Sequence, residues 1–347
     1  MQPLNLNIAA CRYHAMLGVG GIGTGVFFSL NGNHTLGREE SRSGNYLDRR
    51  DYCKLHIVSH YVQTLLGAGF VTMPIGRVGL DNAGKRLLRE MTRAGMDLRY
   101  VQAVRGAQTL NSFCFIYPDG SGGNLTIDNS ACDLLKPEDV LDAEEDFSRF
   151  RAQGIALAVP EVPLITRQKL LDLGTQYQFL RVASFSSAEL VPAIEMGMLS
   201  LTDLLALNRD EAAIVAGIKS EKVPPQAIVE AASSKLQSIN PSLRVIITAG
   251  KEGSWSWDGK NLSFLPAFPT HMVSTAGAGD AFLAGVITGL VEDLPYRQAQ
   301  ELGALVAALS VTSPHTINMG IDRRSLLSFS LKFSIELSDP VKQLIQD

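Results

Sequence analysis

Two hydrophobic rhythms alternate along the chain. Short runs crowded with aliphatic and β-branched residues, at 13–19, 70–76, 155–160, 179–185, 203–208 and 244–250, predict strands. Between and beyond them, apolar residues recur at three- and four-residue spacing over 54–66, 82–94, 166–173, 210–217, 226–238, 278–291 and 298–312, which predicts helices. Asp81 stands where an N-cap would open the second helix, and Gly95 where that helix would close. Strand and helix in alternation over most of the length predict an α/β protein with a doubly wound, mostly parallel sheet covered by helices on both faces.

Two segments break this rhythm. VFFSLNGNHTL (26–36) and LNSFCFIYPDGSGGNLTI (110–127) set aromatic and β-branched residues around Asn-Gly, Asp-Gly and Gly-Gly pairs, so they read as antiparallel ribbons. They predict a small β lid, built from about 26–36 and 110–128, projecting from a single domain that occupies 1–347. The stretch REESRSGNYLDRRD (38–51) is dense in mixed charge and reads as a solvated loop.

Composition narrows the function. With 347 residues and 46% hydrophobic side chains the chain can bury one large core. A net charge of −4 without a block of like charges gives no nucleic-acid or anionic-membrane partner. Cys11, Cys53, Cys114 and Cys132 show no disulfide or zinc spacing and read as reduced thiols. The N-terminus lacks a basic start followed by an apolar stretch, and the longest apolar runs fall short of the roughly 20 residues that span a bilayer. The expectation is a cytoplasmic, enzyme-sized domain.

GVGGIG, Gly18 to Gly23, fits the dinucleotide fingerprint GxGxxG. That fingerprint needs a helix directly after it to hold the pyrophosphate. The next ten residues are TGVFFSLNGN, a composition that favours strand. The glycines then read as a strand end where the backbone passes close to something else.

STAGAGD, Ser274 to Asp280, carries more chemistry. Its small residues permit close backbone approaches, and a helix begins near Ala278. The first amides of that helix lack intrahelical acceptors and, with the helix dipole, form an anion cradle. Asp280 falls in the same turn. A carboxylate beside an anion cradle suits attack of an alcohol on a phosphoryl group, Asp280 taking the proton and the amides of Gly277, Ala278 and Gly279 stabilising the transferred group. Simple helix capping is the other reading of an acidic first turn. Ala281, Gly285 and Gly289 form a small-residue stripe that would let the helix pack closely on the sheet. Upstream, Asn208 and Glu211 are three apart at a strand end, either a capping pair or the organisers of a hydrated Mg²⁺ ion. Thr248, Gly250 and Gly253 lie where another strand gives way to a turn, a hairpin or a ligand edge.

NRDE (208–211), TAGKEG (248–253) and STAGAGD (274–280), in this order, resemble the NxxE, TxGxxG and DTxGAGD motifs of the ribokinase/PfkB carbohydrate kinase family. IGRVGLDNAG (75–84) resembles the family's N-terminal half, and the resemblance covers roughly 13–315. It implies a ribokinase-like fold with a β lid and transfer of the ATP γ-phosphate to a hydroxyl of a sugar or sugar-like molecule. Asp280 maps onto the family's base and Gly277 to Gly279 onto its anion hole. Asn208, Thr248, Gly250, Gly253 and Thr275 map onto the nucleotide side, and Glu211 with Asn208 onto the Mg²⁺ site.

The match has gaps. Ser274 replaces the family's usual Asp, and about Ala304 replaces an Asn near the adenine. Where relatives place a sugar-binding Asp after the first strand, this chain reads Gly23-Thr24-Gly25. Their GGxxxN signature is replaced by CKLHIVSH (53–60), which puts Lys54, His56 and His60 near the expected acceptor pocket. The two histidines are four apart, but Ile57 breaks the zinc motif HExxH. Lys54 and His56, with Asn111 and Asn31 from the ribbons, are therefore the expected acceptor contacts, for an acceptor other than an ordinary neutral pentose. A second copy docking through the lid is the protein partner this reading allows. Two alternatives remain open: a catalytically silent nucleotide- or sugar-binding regulator, and an NAD-dependent oxidoreductase using Gly18 to Gly23.

Overall fold

The computed structural model describes residues 2–119, 122–220 and 223–346. Thirteen strands lie among these residues: β1 (Ala15–Val19), β2 (Gly23–Leu30), β3 (Gly44–Tyr52), β4 (Val71–Gly79), β5 (Val101–Val104), β6 (Leu110–Ile116), β7 (Gly122–Thr126), β8 (Gly154–Ala158), β9 (Leu180–Ser184), β10 (Leu204–Asn208), β11 (Arg244–Thr248), β12 (Ser254–Trp257) and β13 (Leu262–Leu265). The helices are α1 (Lys54–Leu66), α2 (Asn82–Arg93), α3 (Pro137–Leu141), α4 (Glu144–Arg149), α5 (Leu164–Gln176), α6 (Leu190–Glu195), α7 (Arg209–Ala216), α8 (Pro225–Ile239), α9 (Ala278–Val291), α10 (Tyr296–Ser310), α11 (Arg323–Lys332) and α12 (Asp339–Ile345).

Nine strands form one sheet in the order β13-β12-β11-β10-β9-β8-β1-β4-β5, parallel from β11 to β5, with β12 and β13 added antiparallel. Its central strands are buried on both faces, and their side chains alternate between two apolar layers, while the edge strands β5 and β13 are partly exposed. Met16, Ile155, Leu157 and Ile246 point into the layer with α1, α2 and α9 to α12. Leu17, Ala156, Val245 and Ile247 point into the layer with α3 to α8. The expected doubly wound architecture is the observed one. Asp81 accepts the Gly84 N–H at 2.8 Å as the α2 cap, and Gly95 follows that helix at φ +93°.

The chain winds outward from β1 in both directions, to β4 and β5 on one side and to β8 through β11 on the other. The crevice beyond the carboxyl ends of β1 and β8 is therefore the topological switch point, the default ligand site of such sheets.

A separate four-stranded sheet, β3-β2-β6-β7, forms the lid. β6 and β7 pair antiparallel as expected; the Asp119-Gly120 turn between them falls partly outside the described residues. Segment 26–36 does not fold back on itself. β2 ends at Leu30 and pairs instead with β3, antiparallel, and with β6, parallel. So the 38–51 stretch is not all loop: from Gly44 it is the lid's edge strand. Its charges misled because an edge strand keeps one flank in water, where charged side chains also discourage further pairing.

The stripe on α9 also differs from expectation. A Cβ on Gly285 would stand 2.7 Å from the Gly303 Cα, and one on Gly289 2.9 Å from the Ala299 Cα, so the stripe fits α10 and not the sheet. Replacing Gly285 by Ala improves helix propensity by about 1 kcal/mol. The backbone of α10 cannot yield as a flexible side chain would, so the net change is expected to be a loss of about 1–3 kcal/mol. Urea unfolding measures it; an unchanged or raised midpoint would mean the two helices do not approach this closely.

Candidate active site

The STAGAGD segment forms the N-terminus of α9. Gly277 is its N-cap at φ +78°, a left-handed conformation that favours glycine. A Cβ there would lie 2.5 Å from the Thr316 carbonyl oxygen, so space as well as torsion demands glycine. Thr316 in turn ties this corner to the lid: its N–H donates to the Arg50 oxygen at 3.1 Å, and its Oγ1 accepts the Tyr52 N–H at 2.9 Å.

The Ala278 N–H is spent on the Thr275 carbonyl at 3.2 Å, closing a turn. The amides of Gly277, Gly279 and Asp280 have no acceptor among the described residues. A Cβ on Gly279 would meet nothing within 4 Å, so the cradle is open and unplugged. The donor set thus differs by one from that read off the sequence: Asp280 contributes its own amide where Ala278 does not.

Asp280 turns inward. Its carboxylate lies 3.4 Å from Lys54 Nζ, with 15% of its side chain exposed against 33% for the lysine. Lys54 opens α1 immediately after β3. The negative charge of Asp280 pushes the lysine pKa up despite burial, so it stays cationic.

Two further carboxylates face this pair. Asn208 and Glu211 make a full capping box, Asn208 Oδ1 accepting the Glu211 N–H at 2.8 Å and Glu211 Oε2 accepting the Asn208 N–H at 2.8 Å. Burial pushes the Glu211 carboxyl up, while Lys54 pulls it down and Asp280 adds repulsion. Glu161 was not singled out from the sequence. It follows β8 at the switch point, in a left-handed conformation at φ +78°. Its Oε2 accepts the Lys54 backbone N–H at 3.4 Å, and burial pushes its carboxyl up to about 7. A Cβ on Gly21 would collide with the Glu161 carboxylate, which explains the glycines after β1: the backbone passes against a side chain, and β2, not a helix, follows them. The available sequence signal was an acid flanked by prolines directly past a strand's carboxyl end.

The lid contributes Asp51, also missed. It is 9% exposed and accepts from Ser112 Oγ at 2.6 Å and Cys114 Sγ at 3.5 Å. Burial is the main cause of its raised pKa. A Cβ on Gly25 would collide with the Asp51 carboxylate, so this acid occupies the space a side chain at 25 would fill.

The other expected acceptor contacts lie elsewhere. His56 is fully buried on the Tyr52 ring at 4.8 Å, with both ring nitrogens unpartnered; burial lowers its pKa to about 3. His60 is likewise buried and lowered to about 4. His56 stands two residues from Lys54, about 200° round the helix, so it faces the core and not Asp280, and His60, one turn further on, shares that face. Asn31 sits in an exposed loop bonded to Ser43 Oγ at 2.9 Å. Strand alternation turns Asn111 to the face of its partner Thr24, and Ser112 to that of Gly25 and Asp51. On the nucleotide side, Thr248 ends β11, and Gly250 and Gly253 sit at φ +57° and +102° in the turn to β12, so the hairpin reading holds for this segment. Thr275 lies two residues before Gly277, and Ser274 Oγ accepts the Ala276 N–H at 3.4 Å. Among the described residues no group of three or more His, Cys, Asp or Glu could hold a metal ion, and no helix is long and apolar enough to cross a membrane.

A doubly wound sheet with an open amide cradle, an inward acid and a lid over the switch point defines the class of a small-molecule kinase. Comparison with known proteins agrees and narrows it. Residues 62–323 match the pfkB family carbohydrate kinase domain. Ribokinase of Haemophilus influenzae is 26% identical over 256 residues, covering 74% of this chain and 80% of its own length. Deoxyribokinase of Salmonella typhimurium is 27% identical over 241 residues, 69% and 75% of the two chains. Among solved structures, ribokinase of Cryptococcus neoformans in complex with ADP superposes with a TM-score of 0.76 at 19% identity, covering 91% of this chain and 99% of its own. The chain belongs to the pfkB family of carbohydrate kinases, and it is a sugar kinase. The match begins inside α1, after the β1–β3 region whose motifs depart from the family pattern.

The raised Glu161 carboxyl has a consequence for stability. Its folded pKa of about 7 exceeds the ordinary 4.5, so the folded state holds this proton more tightly. The contribution to stability is fully present below about pH 4.5 and is lost as pH rises through about 7. Glu161→Gln, which cannot titrate, is therefore expected to gain stability relative to the parent between about pH 5 and pH 8. Urea midpoints of both proteins at the two pH values check this; a constant difference would place Glu161 in a solvated setting.

Proposed function

We propose that this kinase transfers the γ-phosphate of ATP to a hydroxyl of a sugar or sugar-like small molecule, with Asp280 as base. The observation that carries the reading is the inward Asp280 carboxylate in the same helical turn as the unpartnered amides of Gly277 and Gly279. The acceptor oxygen bonds to the γ-phosphorus, the bond from that phosphorus to the β-phosphate oxygen breaks, and ADP leaves. The hydroxyl proton passes to Asp280. Because the transition state is loose, transfer to so weak a base occurs late, when the alcohol has become acidic. The amides hold the charge on the moving group, and cationic Lys54 stands close enough to share it. Asn208, Thr248, Gly250, Gly253 and Thr275 are the proposed nucleotide contacts.

A hydrated Mg²⁺ fits the residues present. Glu211 spends one oxygen on its cap, and the other has no hydrogen bond among the described residues, within electrostatic reach of Asp280. Glu211 would hold the ion through water, where it neutralises phosphate charge; Mg²⁺ takes few direct protein ligands. Asn208 has its oxygen engaged and offers its NH₂ group to a phosphate oxygen. On the acceptor side, the expected Lys54 is kept, and Glu161 and Asp51 take the place of His56, Asn31 and Asn111. Two half-buried or buried carboxylates suit a polyhydroxylated acceptor, whose hydroxyls can donate to both. The single domain spanning 1–347, with the lid as a part of it, is proposed as one functional unit.

Asp280→Asn is expected to lower kcat by about 10²- to 10⁴-fold with little change in the KM for ATP. ADP release measured over a panel of sugars and sugar derivatives checks it. Full turnover by the variant would remove Asp280 as base, and no ADP release by the parent with any acceptor would favour a silent binding protein.

The proposal includes a homodimer through the lid. Phe28, Tyr46, Phe113 and Leu125 are all exposed, and cross-strand pairing sets Tyr46 beside Phe28 and Leu125 beside Phe113 on the face away from Asp51. A contiguous apolar sheet face of this kind marks an association surface. Phe113→Asp is expected to yield monomers in sedimentation velocity; a parent that already sediments as a monomer would refute the dimer.

A further inference from the structure

At the end of the sheet opposite Asp280, a second cavity of about 540 Å³ opens among the amino ends of β1, β9, β10 and β11. α9 joins the two ends: Asp280 lies in its first turn and Leu290, in its last, lines the cavity. Three arginines reach the cavity, and they differ in state.

Arg181 is a wall. Its guanidinium grips Asp203 through Nε at 2.8 Å and Nη2 at 2.5 Å, and Thr175 Oγ1 through Nη1 at 2.7 Å. Its stem lies against Gly174, where a Cβ would come within 2.9 Å of Arg181 Cγ. Its charge is answered by Asp203. Arg12 and Arg244 are otherwise. Each lies over an aromatic ring, Arg12 at 5.2 Å from the Tyr13 centroid and Arg244 at 5.6 Å from that of Tyr296. Neither side chain makes a hydrogen bond or ion pair among the described residues. The C-terminal ends of α5 and α9 also reach the cavity, and helix ends attract cations in general. That attraction uses none of the planar donors of the two guanidiniums, because the final carbonyls of α9 are already bonded, Leu290 to the Asp293 N–H at 3.2 Å and Gly289 to the Leu294 N–H at 2.9 Å.

Asp293 completes the set. It follows α9 in a left-handed conformation at φ +57°, exposed at the rim, in no ion pair among the described residues. The cavity thus offers two guanidiniums and a carboxylate that make no hydrogen bond or ion pair among the described residues, with the neutral polar side chains of Gln178 and Ser242. Guanidinium forks match the oxygens of a phosphate group, and a carboxylate accepts from hydroxyls while repelling a bare anion. The two aromatic residues of the lining, Tyr13 and Phe179, are both buried, at 7% and 3% exposure, so the cavity offers little ring surface on which a nucleobase could stack. We propose that this cavity binds a phosphate monoester of a polyol, a sugar phosphate, its phosphate on Arg12 and Arg244 and its hydroxyls on Asp293. The inference is independent of which residues perform phosphoryl transfer.

Isothermal titration of the full chain with glucose 6-phosphate and, separately, with inorganic phosphate tests it, with a non-hydrolysable ATP analogue present throughout to occupy the catalytic corner. Glucose 6-phosphate is expected to bind more tightly than inorganic phosphate. Arg12→Gln with Arg244→Gln is expected to weaken glucose 6-phosphate at least about tenfold, the scale of a lost charge-assisted pair. Asp293→Asn is expected to narrow the preference for glucose 6-phosphate over phosphate, while Lys54→Ala leaves both affinities unchanged. Arg12→Gln alone, at an exposed position, provides the same readout if the double variant fails to fold. Absence of binding, equal affinity in the arginine variants, or loss of binding in Lys54→Ala would each overturn the proposal.

Discussion

The contact between Gly277 and the Thr316 carbonyl is the joint on which the catalytic corner depends. It holds the first turn of α9 in a left-handed entry that leaves amides free. The same threonine bonds to Arg50 and Tyr52 at the end of β3, the strand that runs directly into Lys54. Lys54 then returns to Asp280, two residues into α9. Lid strand, anion cradle, acid and lysine therefore form a closed circuit of contacts. No member can shift without straining the next, and such pre-organisation lets fixed dipoles stabilise a developing charge without reorganising.

Charge explains what the circuit lacks. Asp280, Glu161 and Glu211 converge on a single cation, Lys54, and burial already raises the two glutamates. Uncompensated buried carboxylates either take up protons or acquire cations. A site of this composition is completed by positive charge and by hydroxyl donors. The proposed polyhydroxylated acceptor and metal-bearing nucleotide would supply both. Asp51 extends the pattern into the lid, where Gly25 leaves the space it fills.

Much of this was legible because periodicity and local chemistry act within a few residues. The helical spacing at 54–66 and 278–291 gave the bounds of α1 and α9, and the Asn208–Glu211 spacing gave a capping box that forms in full. The β3 strand was hidden by its charges, since an edge strand needs only one partner and satisfies its other flank with water. Asn111 and Ser112 were exchanged because a strand's period of two makes neighbours face opposite ways, and nothing local says which face closes over the crevice.

The sequence by itself determined the alternation of strands and helices, the glycine-bearing turn before Asp280 and the acid's place in the first helical turn, since each is fixed by bonds and torsions close in the chain. Only the tertiary structure decided that His56 is sealed in the core while Lys54, two residues earlier, reaches Asp280 across 226 positions. It likewise brought Glu161 against Lys54, set Asp51 against Gly25 within the lid, and laid the α9 stripe on α10. Such pairings depend on how layers pack and which strand neighbours which, and that is settled by the sum of burial over the whole core rather than by any short stretch of residues.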